Sequence, residues 1–581
     1  MALEPTLTET IAAAPAPPAS ESHTGQIARA AGVLSLGSVA SRVLGFCVYL
    51  VKSQYFGAGG KVDAFTVAAE IPNMLYDLLV GGMVNSALVP VFIEYVTDRR
   101  DELWGLISML CSLIIAALAV VVLIAELLAP QIVGLVSGGS PPDVQAMAAS
   151  MFRIMVPAVI FLSLSGVLTG ALLALRRPTW PAFVGAVMNA GTVLVTILLH
   201  NQLDITSMAV GILAGSICQV LLQAPGLRDA RLRFRLSLSH PALRQVAILY
   251  APIAFSLVLD TLISRPISYN LASHIVEGGI SWMDYATTLR EMPQGFVGVA
   301  ISLAVLPLLA LHARNEKTEG LGPFRQTLAR GLRLGIVLIV PAAVGLFVLS
   351  RPMVALVFEH GVFTAHDTDA TTQALRWYLM GVPFATVDLL LVYAFYARQD
   401  TLTPPLIGVA VTIVYLAMAF LLIEPPAILA QFKPAGWWAL VAPTGLFVLM
   451  FADSFKLGLH SLISWVILNK RINGLGAAEE RGVIRTVLLT LLAAAVMAGA
   501  TYATLMVTRT FIAEGELGKL LVSGPLGQMN ALQHGQLVIK LVNVAVPALV
   551  GAGVYVGLVT LFRVEEIHML WGAIKKRLVG A

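Results

Sequence analysis

The sequence predicts an all-α polytopic membrane protein of about 14 transmembrane helices, built as two pseudo-symmetric six-helix lobes followed by two C-terminal helices. Three observations carry that class: a composition starved of charge, an internal duplication, and a one-sided distribution of Lys and Arg. Hydrophobic residues make up 58% of the 581-residue chain and charged residues 12%, with a mean hydropathy of +0.84. A soluble chain carries about twice that charge. The apolar stretches are continuous rather than alternating with period two, which excludes a transmembrane β-barrel. Cys47, Cys111 and Cys218 all fall in apolar segments, so neither a disulfide framework nor a cysteine metal site is indicated.

The duplication rests on four landmarks. Asp63 and Pro72 recur as Asp284 and Pro293 at an offset of 221, and Arg176 and Pro181 recur as Arg398 and Pro404 at offsets of 222 and 223. Four landmarks at nearly one offset mark a repeat of about 220 residues. The repeat holds six helices, an even number, so both copies enter the membrane with the same polarity. Parallel repeats of this kind are related by an axis along the membrane normal, and a transporter holds its substrate at their interface near the midplane.

In chain order, residues 1–28 are rich in Pro and Ala and lack Lys and Arg. They predict a disordered cytoplasmic tail, without the basic start and apolar run of a signal peptide. Spans 1 to 14 follow near 30–54, 63–95, 103–137, 146–175, 180–200, 205–225, 243–273, 281–312, 326–349, 368–397, 403–423, 436–468, 484–508 and 540–562. The N-terminal lobe is 29–225 and the C-terminal lobe 243–470. A basic linker, 226–242, is expected as an amphipathic surface helix near anionic lipid. Residues 471–581 supply the two additional helices and a cytoplasmic tail. Of 37 Lys and Arg, 24 fall in loops or at span ends on the side of the N-terminal tail, 7 likewise on the opposite side and 6 deeper within spans. One miscounted span would invert every later loop, so the bias places both termini in the cytoplasm.

Chemistry is sought where polar groups interrupt apolar helices, because such groups face a bundle interior or a hydrated cavity. The densest case is Asp63–Tyr95, broken by Pro72, Gly81, Gly82 and Pro90 and carrying Glu70, Asn73, Asp77 and Asn85. Arg42 lies about a dozen residues from either end of span 1, too deep to snorkel, and its guanidinium suits an anionic, phosphate-bearing substrate. Asp63 and Asp284 open spans 2 and 8 at equivalent places, as helix caps or gates. Asp77 is one turn past Asn73 on the same face of span 2. Arg290 and Glu291 precede Pro293 and point in different directions. Arg265 in span 7 completes the expected substrate-binding set of Arg42, Asp63, Asn73, Asp77, Arg265, Arg290 and Glu291. Asp260 in span 7 and Asp453 in span 12 are candidates for ion coupling, to Na⁺ or H⁺; Asp453 also has Lys456 and His460 on its own face and is equally read as an internal ion pair with Lys456. The Gly166/Gly170 and Gly211/Gly215 pairs suit close helix packing. No HExxH, Walker loop or paired cysteine ligands are present, so no enzyme chemistry, cofactor or nucleic-acid partner is expected.

These residues bring a family into view. GSVASRVLGF, DAFTVA, IPNMLYDLLVGG, ALVPVF, SWMDYA, MPQGFVGVAISLAVLP and FYARQDTLTP resemble motifs of the MurJ/MviN lipid II flippases, in order through spans 1 to 12. The family belongs to the same superfamily as the multidrug and polysaccharide exporters. The resemblance implies a V-shaped, alternating-access, ion-coupled transporter in the bacterial cytoplasmic (inner) membrane. It implies a lipid-linked anionic substrate, undecaprenyl-pyrophosphate-linked peptidoglycan precursor, moved from the inner to the outer leaflet, with membrane lipids as the other partner and a monomer as the working unit. Of the family's cavity arginines Arg42 is kept, whereas Val48, Tyr76 and Thr288 stand where others are basic and Gly81 where an acidic residue follows. Asp63 and Glu291 match, and Asp260 corresponds to an acidic residue of the family's sodium site. One arginine underpairs a pyrophosphate, so two alternatives stand beside the flippase: a multidrug-type or other polyprenyl-linked glycan exporter, and a non-transporting scaffold.

Overall fold

The computed structural model describes residues 23–78, 83–230, 233–237, 240–257, 261, 263–423, 445–513, 531–564 and 566. All regular structure among them is helical. Ten helices are long and apolar enough to cross a bilayer, and an eleventh span is the pair Ala365–Leu379 and Val382–Ala397, bent by 41°. The expected spans outside this set are 2, 7 and 8, and each is interrupted. Span 2 runs as Gly60–Tyr76, then a π turn at Val84–Leu88, then Val89–Asp98. Span 7 is Pro241–Leu257 and Arg265–Ile275, with π geometry at 263–264. Span 8 is Gly279–Pro293, a π segment Gln294–Val299, and Ala300–Arg314. Pro72 and Pro293 each remove a backbone donor, and the helices widen just past them. Such defects survive in a membrane only where they face protein or a wet cavity.

The duplication is visible in the backbone. The turns after spans 4 and 10 put Arg176 and Gln399 in the left-handed region, at φ 57 and 60, 223 residues apart. In the second copy Asp400 accepts from the Thr403 N–H at 3.0 Å and pairs with Arg471. Partial burial pushes the Asp400 carboxyl up, but hydrogen bonds from Thr403 and Arg471 outweigh it and hold the carboxyl below its ordinary range.

Three expectations are corrected. Residues 23–28 are not an irregular tail, because span 1 is already helical from His23; residues 1–22 lie outside the described residues. The linker is not an amphipathic helix. After a short turn at Ala224–Leu227 the described residues 228–230 and 233–237 form no helix, and the N–H groups of Arg233 and Arg235 donate to Ser108 and Ser112 at 3.1 and 3.0 Å. Its sequence, RLRFRL, alternates with period two, the pattern of extended chain rather than helix. Span 12 begins at Phe447 rather than 436; residues 436–444 lie outside the described residues.

The cores define the shape. One apolar cluster crosses both lobes and gathers residues from one end of the bundle: Val62, Phe65, Val133, Phe152, Ile280, Tyr285, Phe358 and Leu446 among them. At the other end, where the N-terminal tail enters, the lobes have separate cores, one around Phe92, Ile107 and Leu172 and one around Phe324, Leu390 and Phe395. The lobes are therefore fused at the far side, whereas at the tail side they keep distinct cores. These are linked through the first half of span 7, whose Val246 packs into the N-terminal core and whose Gln245 donates to Glu94 of span 2 at 2.9 Å. Spans 13 and 14 (Ala477–Thr508 and Ala531–Leu561) pack on each other and on span 9, Gly322–Val348, with Tyr555 donating to the Val337 carbonyl at 2.6 Å and Arg333 paired to the buried Glu566 at 3.0 Å.

Spans 5 and 6 (Val184–Leu203 and Thr206–Gln223) meet backbone to backbone, with Gly215 against Gly191 and the Met188 carbonyl. Gly215→Leu must push them apart, an overpacking cost of about 1–3 kcal/mol. The melting temperature of the detergent-purified protein is expected to fall by several degrees. Gly553→Leu, where the space is open, should leave it unchanged.

Candidate functional site

The candidate site is the seam between the lobes, lined by spans 1, 2, 7 and 8. Its far end is a set of inter-lobe contacts. The Asp63 carboxylate accepts from the N–H groups of Gly278 and Ser281, both at 2.7 Å. The span 8 helix starts at Gly279, and Gly278 holds φ 87, which glycine adopts without strain. Asp63 therefore caps span 8, not its own helix, and a carboxylate at a helix N-terminus is favoured by the free donors and the macrodipole together. This corrects the reading of Asp63 and Asp284 as equivalent caps. The N-cap of span 2 is Gly59, which lacks a side chain, and its N–H donates to the Ser281 hydroxyl at 3.2 Å.

Asp284, one turn into span 8, is instead an ion-pair partner. Lys52 of span 1 meets it at 2.5 Å, with side-chain exposures of 3% and 18%. The ammonium also lies 4.4 Å from the ring centres of both Tyr49 and Tyr285. Tyr49 donates to Asp284 at 3.2 Å and Tyr285 to the Gly57 carbonyl at 2.7 Å. A buried charge pair needs such extra donors and ring faces to offset its desolvation. Span 7 extends the seal: Asn270 donates to the Leu135 carbonyl at 2.9 Å, and Ser273 accepts from the Gly139 N–H at 3.0 Å.

Toward the tail side the seam turns polar and exposed. Arg265 pairs with Glu70 at 2.8 Å, and Asn73 and Asp77 continue that face of span 2 by one and two turns. Arg42 stands 14 residues from the end of span 1 at Phe56, about 20 Å along the helix. Its guanidinium lies against Gly295, where any Cβ would strike it, and 5.9 Å from the Phe296 ring of span 8. Arg42 thus faces the opposite lobe across the seam. Glu291, one turn before Gly295 on span 8, is exposed.

Two expected residues lie elsewhere. Arg290 turns away from the seam into the C-terminal lobe, bonding Asp453 at 2.5 Å and lying 4.6 Å over the Tyr378 ring. Asp453 is also 3.6 Å from Lys456, so two cations already compensate it. Asp260 lies outside the described residues. Lys52, Glu70 and the Asp388–His460 pair, joined at 2.6 Å, were absent from the expected set. Lys52 carried a signal: it falls inside an apolar run one turn past Tyr49. Among the described residues no group of three or more His, Cys, Asp or Glu is placed to hold a metal ion.

Comparison with known proteins agrees with this architecture. Residues 52–522 match the family model described as lipid II flippase MurJ. A lipid II flippase MurJ of Burkholderia cenocepacia is 31% identical over 386 residues, 64% of this chain and 74% of the relative. A probable lipid II flippase MurJ of Haemophilus influenzae is 30% identical over 396 residues, 64% and 76% of the two chains. Among solved structures, a lipid II flippase MurJ in an inward closed conformation superposes with TM-score 0.67 at 19% identity, covering 91% of this chain and 99% of that one. An inward-facing multidrug resistance transporter of the MATE family gives 0.61 at 12% identity, covering 77% and 98%.

Two measurements check the far-side contacts. Lys52→Met leaves the Asp284 carboxylate buried without its cation and is expected to cost about 3–5 kcal/mol of stability in detergent unfolding; Lys52→Met/Asp284→Leu should recover most of it. In a protein whose three cysteines are serines, Ser140→Cys at the seal should react severalfold faster with an impermeant maleimide when Asp63→Ala is added. Equal rates would mean that capping of span 8 does not hold the far side shut.

Proposed function

The chain belongs to the lipid II flippase MurJ family, and on that premise we propose that it moves undecaprenyl-pyrophosphate-linked peptidoglycan precursor from the inner to the outer leaflet of the cytoplasmic membrane by alternating access. The observation that carries the reading is Arg42: a guanidinium midway along its span, facing span 8 on the open side of a sealed seam. Among the described residues it pairs with no carboxylate, unlike Arg265, Arg290 and Lys52. A guanidinium placed there offers two parallel donors to a pyrophosphate. Lipid-linked cargo needs a path for its chain beside the charged head, and a seam that opens sideways between two lobes supplies both.

The cycle follows from which contacts must break. With the far side capped and the tail side parted, the headgroup enters from the cytoplasm and meets Arg42. Passage outward requires Asp63 to leave the start of span 8, and Lys52 to leave Asp284, while the tail-side halves close. The interrupted spans 2, 7 and 8 are the elements that can flex, since their helical ladders are already broken near the midplane. Both termini face the cytoplasm on the Lys and Arg bias, the unit is a monomer, and an Na⁺ or H⁺ gradient drives the cycle through acidic groups such as Asp260 and Asp453. The role is transport rather than catalysis.

One observation favours a second reading. On the described seam Asp63, Glu70, Asp77, Asp284 and Glu291 outnumber Arg42, Lys52 and Arg265, an excess of negative charge that suits a cationic amphiphile. Complementation separates the two. Wild type should sustain a strain depleted of its own lipid II flippase, Arg42→Ala should abolish growth, and Arg42→Lys should restore it in part. Growth unchanged by Arg42→Ala, together with ethidium efflux from the same cells, would replace the flippase with the exporter.

A further inference from the structure

The C-terminal lobe holds a second polar centre, away from the seam. A cavity of about 370 Å³ lies between spans 10, 11 and 12, lined by Asp388, Tyr396, Pro404, Thr412, Lys456 and His460. His460 Nδ1 is 2.6 Å from Asp388 Oδ1, and its Nε2 is 3.3 Å from the Pro404 carbonyl oxygen. Both ring nitrogens thus face acceptors. A neutral imidazole donates from one nitrogen only, whereas an imidazolium donates from both.

The surroundings are closely balanced. On span 12, Lys456 lies one turn before His460 and lines the same cavity, and Asp453 lies one turn before Lys456. Span 8 contributes Arg290, which pairs with Asp453. Span 10 contributes Asp388, Tyr393, Tyr396 and, in its first half, Tyr378. Span 11 contributes Tyr415, whose ring is 5.3 Å from the Lys456 ammonium. Among the described residues of the cluster, Arg290 and Lys456 balance Asp453 and Asp388, so the charge of these groups together is decided by His460. Lys456 inside the cavity opposes entry of a metal cation, and Asp453 already has its two cations. The centre also touches the seam: the Tyr415 hydroxyl is 2.6 Å from the Ser268 hydroxyl of span 7, one turn from Arg265 and its partner Glu70.

We propose that this cavity is a proton-binding site in which His460, held between Asp388 and the Pro404 carbonyl, carries the proton while the far side is closed. Release of that proton withdraws one of the two hydrogen bonds that the His460 ring makes to spans 10 and 11 and returns the cluster to neutrality. The site deepens the coupling part of the flippase reading, naming the ion as a proton and its seat as Asp388–His460 rather than Asp453.

Two measurements on the full-length protein test it. In weakly buffered nanodiscs a pH-sensitive dye should register about one proton fewer taken up per chain between pH 8 and 5.5 for His460→Gln than for wild type, and Asp388→Asn, nearly isosteric, should lower uptake at pH 6 to 7 by a part of that one proton. In sodium-free proteoliposomes carrying fluorescent lipid II, a pH gradient should accelerate flipping severalfold for wild type and not for His460→Gln. Equal proton uptake in wild type and His460→Gln, or a gradient response that survives the substitution or appears only with sodium, overturns the proposal. A wild type that moves no lipid II at all sinks the flippase reading instead, and the proton count still decides this one.

Discussion

The lobes are held together by a carboxylate that one lends to the other. Asp63 belongs to span 2, but the donors it satisfies are the first free N–H groups of span 8. A helix end in a membrane has no water to fall back on, so its unpaired donors cost several kcal/mol unless something caps them. The chain has placed that cap on the opposite lobe. Closing the far side and completing span 8 are thereby the same event, and opening the far side must expose those donors to incoming water. The Lys52–Asp284 pair works in the same sense one turn further on, since neither charge is comfortable in the closed seam without the other.

The same logic explains where the helices break. Spans 2, 7 and 8 line the seam together with span 1, and all three are interrupted by π geometry within the span. A lipid-facing helix could not tolerate the freed carbonyls, but a seam wet on one side can. The apolar cores follow: a single cluster fuses the lobes at the far side, and two separate clusters stabilise each lobe at the tail side. Rigid halves that share one core at one end and are linked at the other through the first half of span 7 are suited to rocking about a hinge rather than to gradual deformation.

Charge within the C-terminal lobe is arranged differently from charge at the seam. There, Arg290, Asp453 and Lys456 form a compensated row inside the bundle, with aromatic faces of Tyr378 and Tyr415 over the cations. Among the described residues Arg42, by contrast, meets the Gly295 backbone and the Phe296 ring. A fully paired row is suited to structure and to sensing a single added charge, and a lone guanidinium to receiving an anion.

The sequence alone determined the quantities that accumulate along one dimension. Continuous apolar runs set the spans, and the recurrence of Asp63, Pro72 and Arg176 about 220 residues later set the repeat. Arg42 was legible too, because depth within an apolar helix is itself a one-dimensional fact. Partners were not legible. Asp63 and the donors it caps are 215 and 218 residues apart, Arg290 and Asp453 are 163 apart, and Lys52 and Asp284 are 232 apart. Asp63 and Asp284 hold equivalent places in the repeat yet do different work, one capping and one pairing, because only packing decides which surface each side chain meets. The linker shows the opposite failure: its period-two pattern was present in the residues, but its non-helical conformation is held by Ser108 and Ser112, which only the folded lobe brings alongside.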